Sequence, residues 1–465
     1  MESRRPSTGE LEWRSVLSKL LQTAHQRTGV PGIAIAIRSP SQSIAVSSGN
    51  AEAQGAERLT PDARFQIGCV AKLLTAIVIA QLVAEGRLDV EAPVHYYLAE
   101  TARPTLCKAI QLKHLLCHTS GYAGPRILDG QDLADSSVSL DVSWRRFVEL
   151  FRATPQLFEP GTMFSYENSE HLMLGEIIRR VSGDDILHHY RTRILDVLHL
   201  RAGPTRNVNE SGFIAEHQYQ PSARQWTALE ILEHNGFWRA SVSDWTLSVA
   251  GLCELAQALL LGQNSPLGDT TSRFLTSPVV TLPRLFGGGV EIGRLPQSFG
   301  FGCGTFRGGF LGLNGSVRGH SCGLRAAPWC NTTVAVALNA SHPMLRDWLL
   351  EQVGKRLGSA SPVAEQPEEC AIQPHALIGR YIGPQDTSVM VRGDGSRLVA
   401  EFVRAIEGST SSIAFDLDQD QRLVRSKDSP PVMMGFFRDK NTDSLGLMLG
   451  MTAFIKQSDA GDCRR

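Results

Sequence analysis

A thiol and an amine stand three residues apart, Cys69 and Lys72, at the head of a long apolar run. Gly68 permits a sharp strand-to-helix turn, so Cys69 is predicted in the first helical turn, where unpaired backbone N–H groups and the helix dipole favour an anion. A thiol so placed has its pKa lowered. Lys72 shares its helical face. Among Leu73, Leu74, Ile77, Val78, Ile79, Leu82 and Val83 the ammonium group loses solvation, and an adjacent thiolate is the simplest compensation. The pair reads as an activated nucleophile. The spacing Cys-x-x-Lys is weakly specific by itself, because a core cysteine beside a snorkelling lysine also satisfies it.

Other reactive types read more plainly. His114 and His118 lie four apart, as zinc ligands do, yet no third ligand accompanies them, and neither a metal nor a cofactor is expected. His188-His189 reads as a solvated helix face, and Phe237, Trp238 and Trp245 as core aromatics. The glycine runs at 287–289 and 308–309 lack the strand-loop-helix setting of a phosphate cradle and read as turns. Nine cysteines without paired spacing are no disulfide framework, and Cys303 and Cys330 are expected as buried strand residues.

These residues need a scaffold. A helical pattern starts near Leu11, followed by a buried strand at 32–38 with a hairpin partner at 43–48. A helix apolar on nearly every face follows Cys69 and stops at Gly86. Residues 100–285 read as mostly helical. They include a helix capped by Asn168-Ser169 and ended by Gly183. Strand-like runs return at 299–306 and 332–338. Strands near both ends of this unit, with helices between, predict one α+β domain whose sheet joins N- and C-terminal parts. The domain is expected over 1–357, a small, polar, proline-containing linker over 358–374, and an antiparallel β domain over 375–465.

With 42% hydrophobic and 20% charged residues in 465, the chain is globular. Its 46 basic and 47 acidic residues leave a net charge of -1, which excludes an electrostatic footprint for nucleic acid or a membrane surface. The start is charged and lacks an apolar signal core, so a cytoplasmic location is expected.

Four motifs then follow one another in a recognisable order. Cys69-x-x-Lys72 is followed by Glu85 to Leu98 (EGRLDVEAPVHYYL), Ile110 to Tyr122 (IQLKHLLCHTSGY) and Pro160 to Asn168 (PGTMFSYEN). Over roughly residues 15–357 the chain resembles the serine β-lactamase-like and penicillin-binding-protein-like family, which includes class C β-lactamases, D-alanyl-D-alanine carboxypeptidases and esterases. The resemblance implies a β-lactamase/transpeptidase-like domain, an antiparallel sheet flanked by helices. The Leu377 to Gly383 run resembles the start of the lipocalin-like β domain often appended to it. The family's nucleophilic serine is Cys69 here. Its third motif, H-x-G or K-T-G on a strand, is matched in part by His320-Ser321-Cys322-Gly323, with cysteine in place of glycine.

The resemblance assigns roles. Lys72 and Tyr166 would share proton transfer, Asn168 would hold Lys72 and orient substrate, and His320 would line the opposite wall. Ser321, Cys322 and Gly323 are expected at the substrate. The oxyanion hole is expected from the N–H of Cys69 and one near Gly323. Cysteine is the one replacement for serine that keeps a nucleophile. Its acyl-enzyme is a thioester, which amines attack readily. The sequence therefore favours an acyltransferase that takes a small-molecule acyl donor, carrier-protein-bound or a coenzyme A thioester, to an amine or alcohol acceptor. Hydrolysis of esters, amides or peptides is the alternative enzyme reading, and a non-catalytic binding scaffold the other.

Overall fold

In the Gly32–Ser39 strand, isoleucine and alanine alternate. Ile33, Ile35 and Ile37 pack with Val334, Val336 and Leu338 of the Thr332–Leu338 strand against the helices Thr8–Thr28 and Pro343–Leu357, through Leu17, Leu21, Leu349 and Val353. Ala34, Ala36, Ala335 and Ala337 face the other way, into the larger core built around the Ala71–Ala84 helix. Branched side chains thus fill one face, while alanines let the nucleophile side of the molecule close onto the other.

The computed structural model describes residues 8–102, 109–124, 140–204, 214–220, 222–229, 241–243, 245–259, 265–282, 295–317, 319–359, 374–383, 387–393, 397–404, 410–417, 423–425, 434–438, 445–449 and 451–457. Most of the linker expected at 358–374, together with Phe237, Trp238 and the 287–289 glycines, lies outside them.

One antiparallel sheet runs, in order, Gln42–Gly49, Gly32–Ser39, Thr332–Leu338, His320–Ala327, Phe310–Val317, Gly304–Phe306, Ser298–Phe299 and Val280–Thr281. N- and C-terminal strands pair directly, Ile33 opposite Leu338, as the sequence predicts for an α+β domain. A second antiparallel sheet of eight strands starts at Gly379–Ile382 and ends at Thr452–Lys456. It encloses a core of Tyr381, Val389, Val391, Phe415, Phe436 and Leu447 and forms the expected small β domain.

Some local expectations need correction. The 299–306 run is two short strands, Ser298–Phe299 and Gly304–Phe306, folded back on each other. Cys69 sits in a 3-10 turn, Gly68–Val70, and the α-helix starts only at Ala71. The cap of the Asn168–Ser182 helix is Glu167, whose carboxylate accepts from the Ser169 N–H, and not Asn168 or Ser169. Gly183 ends that helix as expected, with φ of 85°. Trp245 is buried core, as read. Cys303 is a buried strand-side residue, whereas Cys330 is exposed.

Candidate active site

Two glycines bring the Cys69 turn against the Phe310–Val317 strand. Gly68 has φ of 52°, and a Cβ there would meet Ser316 N at 2.9 Å. A Cβ on Gly315 would meet Ile67 O at 2.0 Å. Only bare backbone lets the two segments touch. The contact turns the Ser316 N–H onto the sulfur of Cys69, where it hydrogen-bonds. From the helical side comes Lys72 and from a facing loop Tyr166, and both act on the same sulfur. Lys72 Nζ also donates to Asn168 Oδ1 at 2.7 Å and lies 4.9 Å from the centre of the Tyr166 ring. Thus Cys69, Lys72, Tyr166 and Asn168 meet in one place.

Cys69, Tyr166 and Asn168 are partly open to solvent, whereas Lys72 is buried. Burial pushes the Cys69 thiol up, but the Lys72 charge and the hydrogen bonds from Tyr166, Lys72 and Ser316 outweigh it and hold the thiol below its ordinary value. Burial lowers Lys72, against the pull of the Cys69 charge. Burial and the sulfur's charge hold Tyr166 well above the ordinary phenol value, so its hydroxyl is a proton donor to the thiolate. Burial drives Cys117, Cys253, Cys303 and Cys322 to about 12, so each stays a thiol.

Under these groups lies a polar floor. His118 Nδ1 is 2.5 Å from Glu170 Oε2, and Glu167 and His171 adjoin them, all buried. Burial raises Glu170 well above the carboxylate range and lowers His118 and His171, which leaves these three neutral. His118 therefore shapes the loop, and His114 Nδ1 accepts from Gln111 N at 3.0 Å.

The third motif is displaced by one strand. His320 packs against Phe65 and the Gln66 backbone. Its Nδ1 accepts from Gln66 N at 2.9 Å, and burial lowers it to about 3. Cys322 is fully buried and donates to Ile67 O at 2.8 Å, next to the Gly68–Val70 turn. Ser321 accepts from His342 N, and Gly323 faces Arg346 and Leu350 on the opposite side of the sheet. The strand backbone N–H that faces the Cys69 sulfur is accordingly that of Ser316. The strand flanking Cys69 reads Leu313-Asn314-Gly315-Ser316, with glycine at the third position of the H-x-G pattern and leucine at its first. The buried Arg346 guanidinium braces it from below, donating to Gly315 O at 3.1 Å and Ser316 Oγ at 3.0 Å. Sequence reasoning missed Ser316 because His320 offered a more conspicuous match; Gly315 in mid-strand was the available signal.

The C-terminal domain also reaches the site. Tyr166 N donates to Met451 O at 2.9 Å, and Ala453 N donates to Ser165 Oγ at 3.2 Å. Phe437, Met448 and Ala453 are buried in the same core as the nucleophile helix.

The family model for Beta-lactamase matches residues 17–352. Penicillin-binding protein 4 of Amycolatopsis lactamdurans is 30% identical over 187 residues, 40% of this chain and 46% of that protein. Esterase EstB of Burkholderia gladioli is 29% identical over 181 residues, 36% and 44% of the two chains. The matched stretch spans less than half the length of either relative. The crystal structure of SurE superposes with a TM-score of 0.71 at 21% identity, covering 96% of this chain and 99% of that one, a likeness of fold that includes the C-terminal domain. No helix among the described residues is long and apolar enough to cross a membrane. On the family match, the chain belongs to the β-lactamase family.

Proposed function

We propose that this chain transfers acyl groups through a thioester on Cys69, from an activated ester or thioester donor to an amine or alcohol. The convergence of the Ser316 N–H, the Tyr166 hydroxyl and the Lys72 ammonium on one sulfur carries the reading. A cation one turn away favours the thiolate, the attacking species. When the sulfur adds to an acyl carbon, the backbone N–H groups of Cys69 and Ser316 are placed to receive the developing oxyanion. Tyr166 and Lys72 protonate the leaving group and later deprotonate the acceptor. Asn168 holds Lys72 in place. A donor presented on a carrier-protein arm or on coenzyme A suits this chemistry, because thiolates exchange readily with thioesters.

Hydrolysis is the second reading, favoured by the similarity to an enzyme named as an esterase. Incubation of the purified chain with an acyl thioester and a panel of amines separates the two. Amide product is expected, with a transient acyl adduct lost in Cys69→Ala. Release of free acid alone, at every amine concentration, would contradict transfer.

A further inference from the structure

We propose that Arg346 is a positioning residue for the nucleophile: its guanidinium, clamped by Asp347, holds and polarises the Gly315–Ser316 peptide, whose N–H is turned toward Cys69. The proposal rests on the S-acyl reading above for its effect on acylation, and it adds a residue that no motif assigned to the chemistry.

A single peptide unit joins the two groups. Gly315 contributes its carbonyl and Ser316 its N–H, and in a trans peptide these point in opposite directions. On the N–H side lies the Cys69 turn, so close that a Cβ on Gly68 would meet Ser316 N at 2.9 Å and Ser316 C at 3.1 Å. On the carbonyl side lies Arg346, whose Nη1 donates to Gly315 O at 3.1 Å and to Ser316 Oγ at 3.0 Å. A cation on the carbonyl oxygen draws electron density through the amide and makes its N–H a stronger donor. The thiolate receives that donor at rest, and the developing oxyanion would receive it during acyl transfer.

The guanidinium is built into place for this contact. Its Nε and Nη2 donate to Asp347 Oδ1 at 2.8 Å and Oδ2 at 3.0 Å, which occupies one edge of the fork and leaves Nη1 for the strand. Asp347 Oδ1 also accepts from Asn314 Nδ2 at 3.1 Å, and Asn314 Oδ1 accepts from Arg325 Nη1 at 2.9 Å. The residue before Gly315 therefore fixes the clamp that holds the Gly315 carbonyl. Gly323 leaves room for the arginine stem, since a Cβ there would meet Arg346 Cδ at 3.0 Å and Asn314 Oδ1 at 3.1 Å. Arg346 and Asp347 are both buried, so their charges are poorly screened. A buried ion pair holds a strand no better than apolar side chains of the same volume. Its action on the peptide accounts for its presence here.

The test replaces the pair at unchanged net charge, with Arg346→Met and Asp347→Leu together in the full chain. Denaturant unfolding establishes that the variant is folded. The pH midpoint of Cys69 alkylation by iodoacetamide should rise by about half a unit or more, because the thiolate loses a strengthened donor. Acylation by a thioester with an isotope-labelled carbonyl should slow about tenfold. The infrared band of the labelled adduct should move up in frequency, toward that of the denatured adduct. Arg346→Lys keeps the cation and loses the fork, so smaller shifts in the same directions are expected, and it serves where the double variant does not fold. Wild-type midpoint and band in a folded variant would overturn the proposal. So would slower acylation with both unmoved, which loosened packing alone produces. If wild-type Cys69 takes up no labelled acyl group, the acyl-transfer reading has failed, and the alkylation midpoint still decides the role of Arg346.

Discussion

Tyr166 is tied through its backbone N–H to the carbonyl of Met451, 2.9 Å away, so the C-terminal sheet holds in place a residue that acts on the Cys69 sulfur. Next to it, the Ser165 hydroxyl accepts from Ala453 N. Ser165→Ala leaves a buried N–H without its acceptor and should cost about 1–2 kcal/mol of stability. Denaturant unfolding checks that value. The acylation rate should fall with it, because the Tyr166 segment loses a tie to the C-terminal sheet, while Cys69→Ala remains the inactive reference.

Ser316 offers a backbone donor, so its side chain and its N–H can be separated. Ser316→Pro removes the N–H and should lower the acylation rate about 10²- to 10³-fold. Ser316→Ala keeps the donor and should stay within a few-fold of wild type, losing only the Arg346 contact. Single-turnover kinetics distinguish the two, and equal losses would show that the hydroxyl, not the oxyanion site, matters.

His320 should behave as a structural residue. Its folded pKa of about 3 is below the ordinary 6.5, so the folded state binds the proton less well than the unfolded chain. Its contribution to stability is full above pH 6.5 and is lost as pH falls toward 3. His320→Gln should flatten that acid limb of the stability curve, with the pH profile of acylation unchanged. A change in the acylation profile and none in stability would restore His320 to the chemistry.

Cys322 is placed by the same argument. Cys322→Ala removes the bond to Ile67 O and a buried side chain, so a loss of about 1–3 kcal/mol is expected in thermal or denaturant unfolding. Km for an acyl donor should hold steady, since the sulfur is buried against Ile67 O. A selective rise in Km would return it to the substrate pocket.

Much of this site was legible in the sequence because local chemistry and order along the chain carry it. Gly68, Cys69 and Lys72 declare a nucleophile turn within four residues, and Tyr166 and Asn168 follow from a motif of short span. The alternation at 32–38 and 332–338 likewise exposed the central strands. What failed was pairing across the sheet. Whether His320 or Ser316 faces Cys69 depends on which strand lies beside the Cys69 turn, and only two residues separate those strands along the chain. Period and composition do not encode that choice. The Tyr166 to Met451 bond spans 285 residues and had no local signature. Glu167 passed as an unremarked middle residue of its motif, since only burial makes its carboxyl unusual.

The most direct check is the pH dependence of Cys69 alkylation by iodoacetamide, in wild type and in Lys72→Met. The wild-type midpoint should lie below the ordinary thiol value of 9.0. Removing the cation takes away the largest of the groups that lower the thiol, so the variant midpoint should rise and its rate at neutral pH should drop about tenfold for each unit of rise. A wild-type midpoint at that of a free thiol, unmoved by the substitution, would contradict the thiolate on which the account rests.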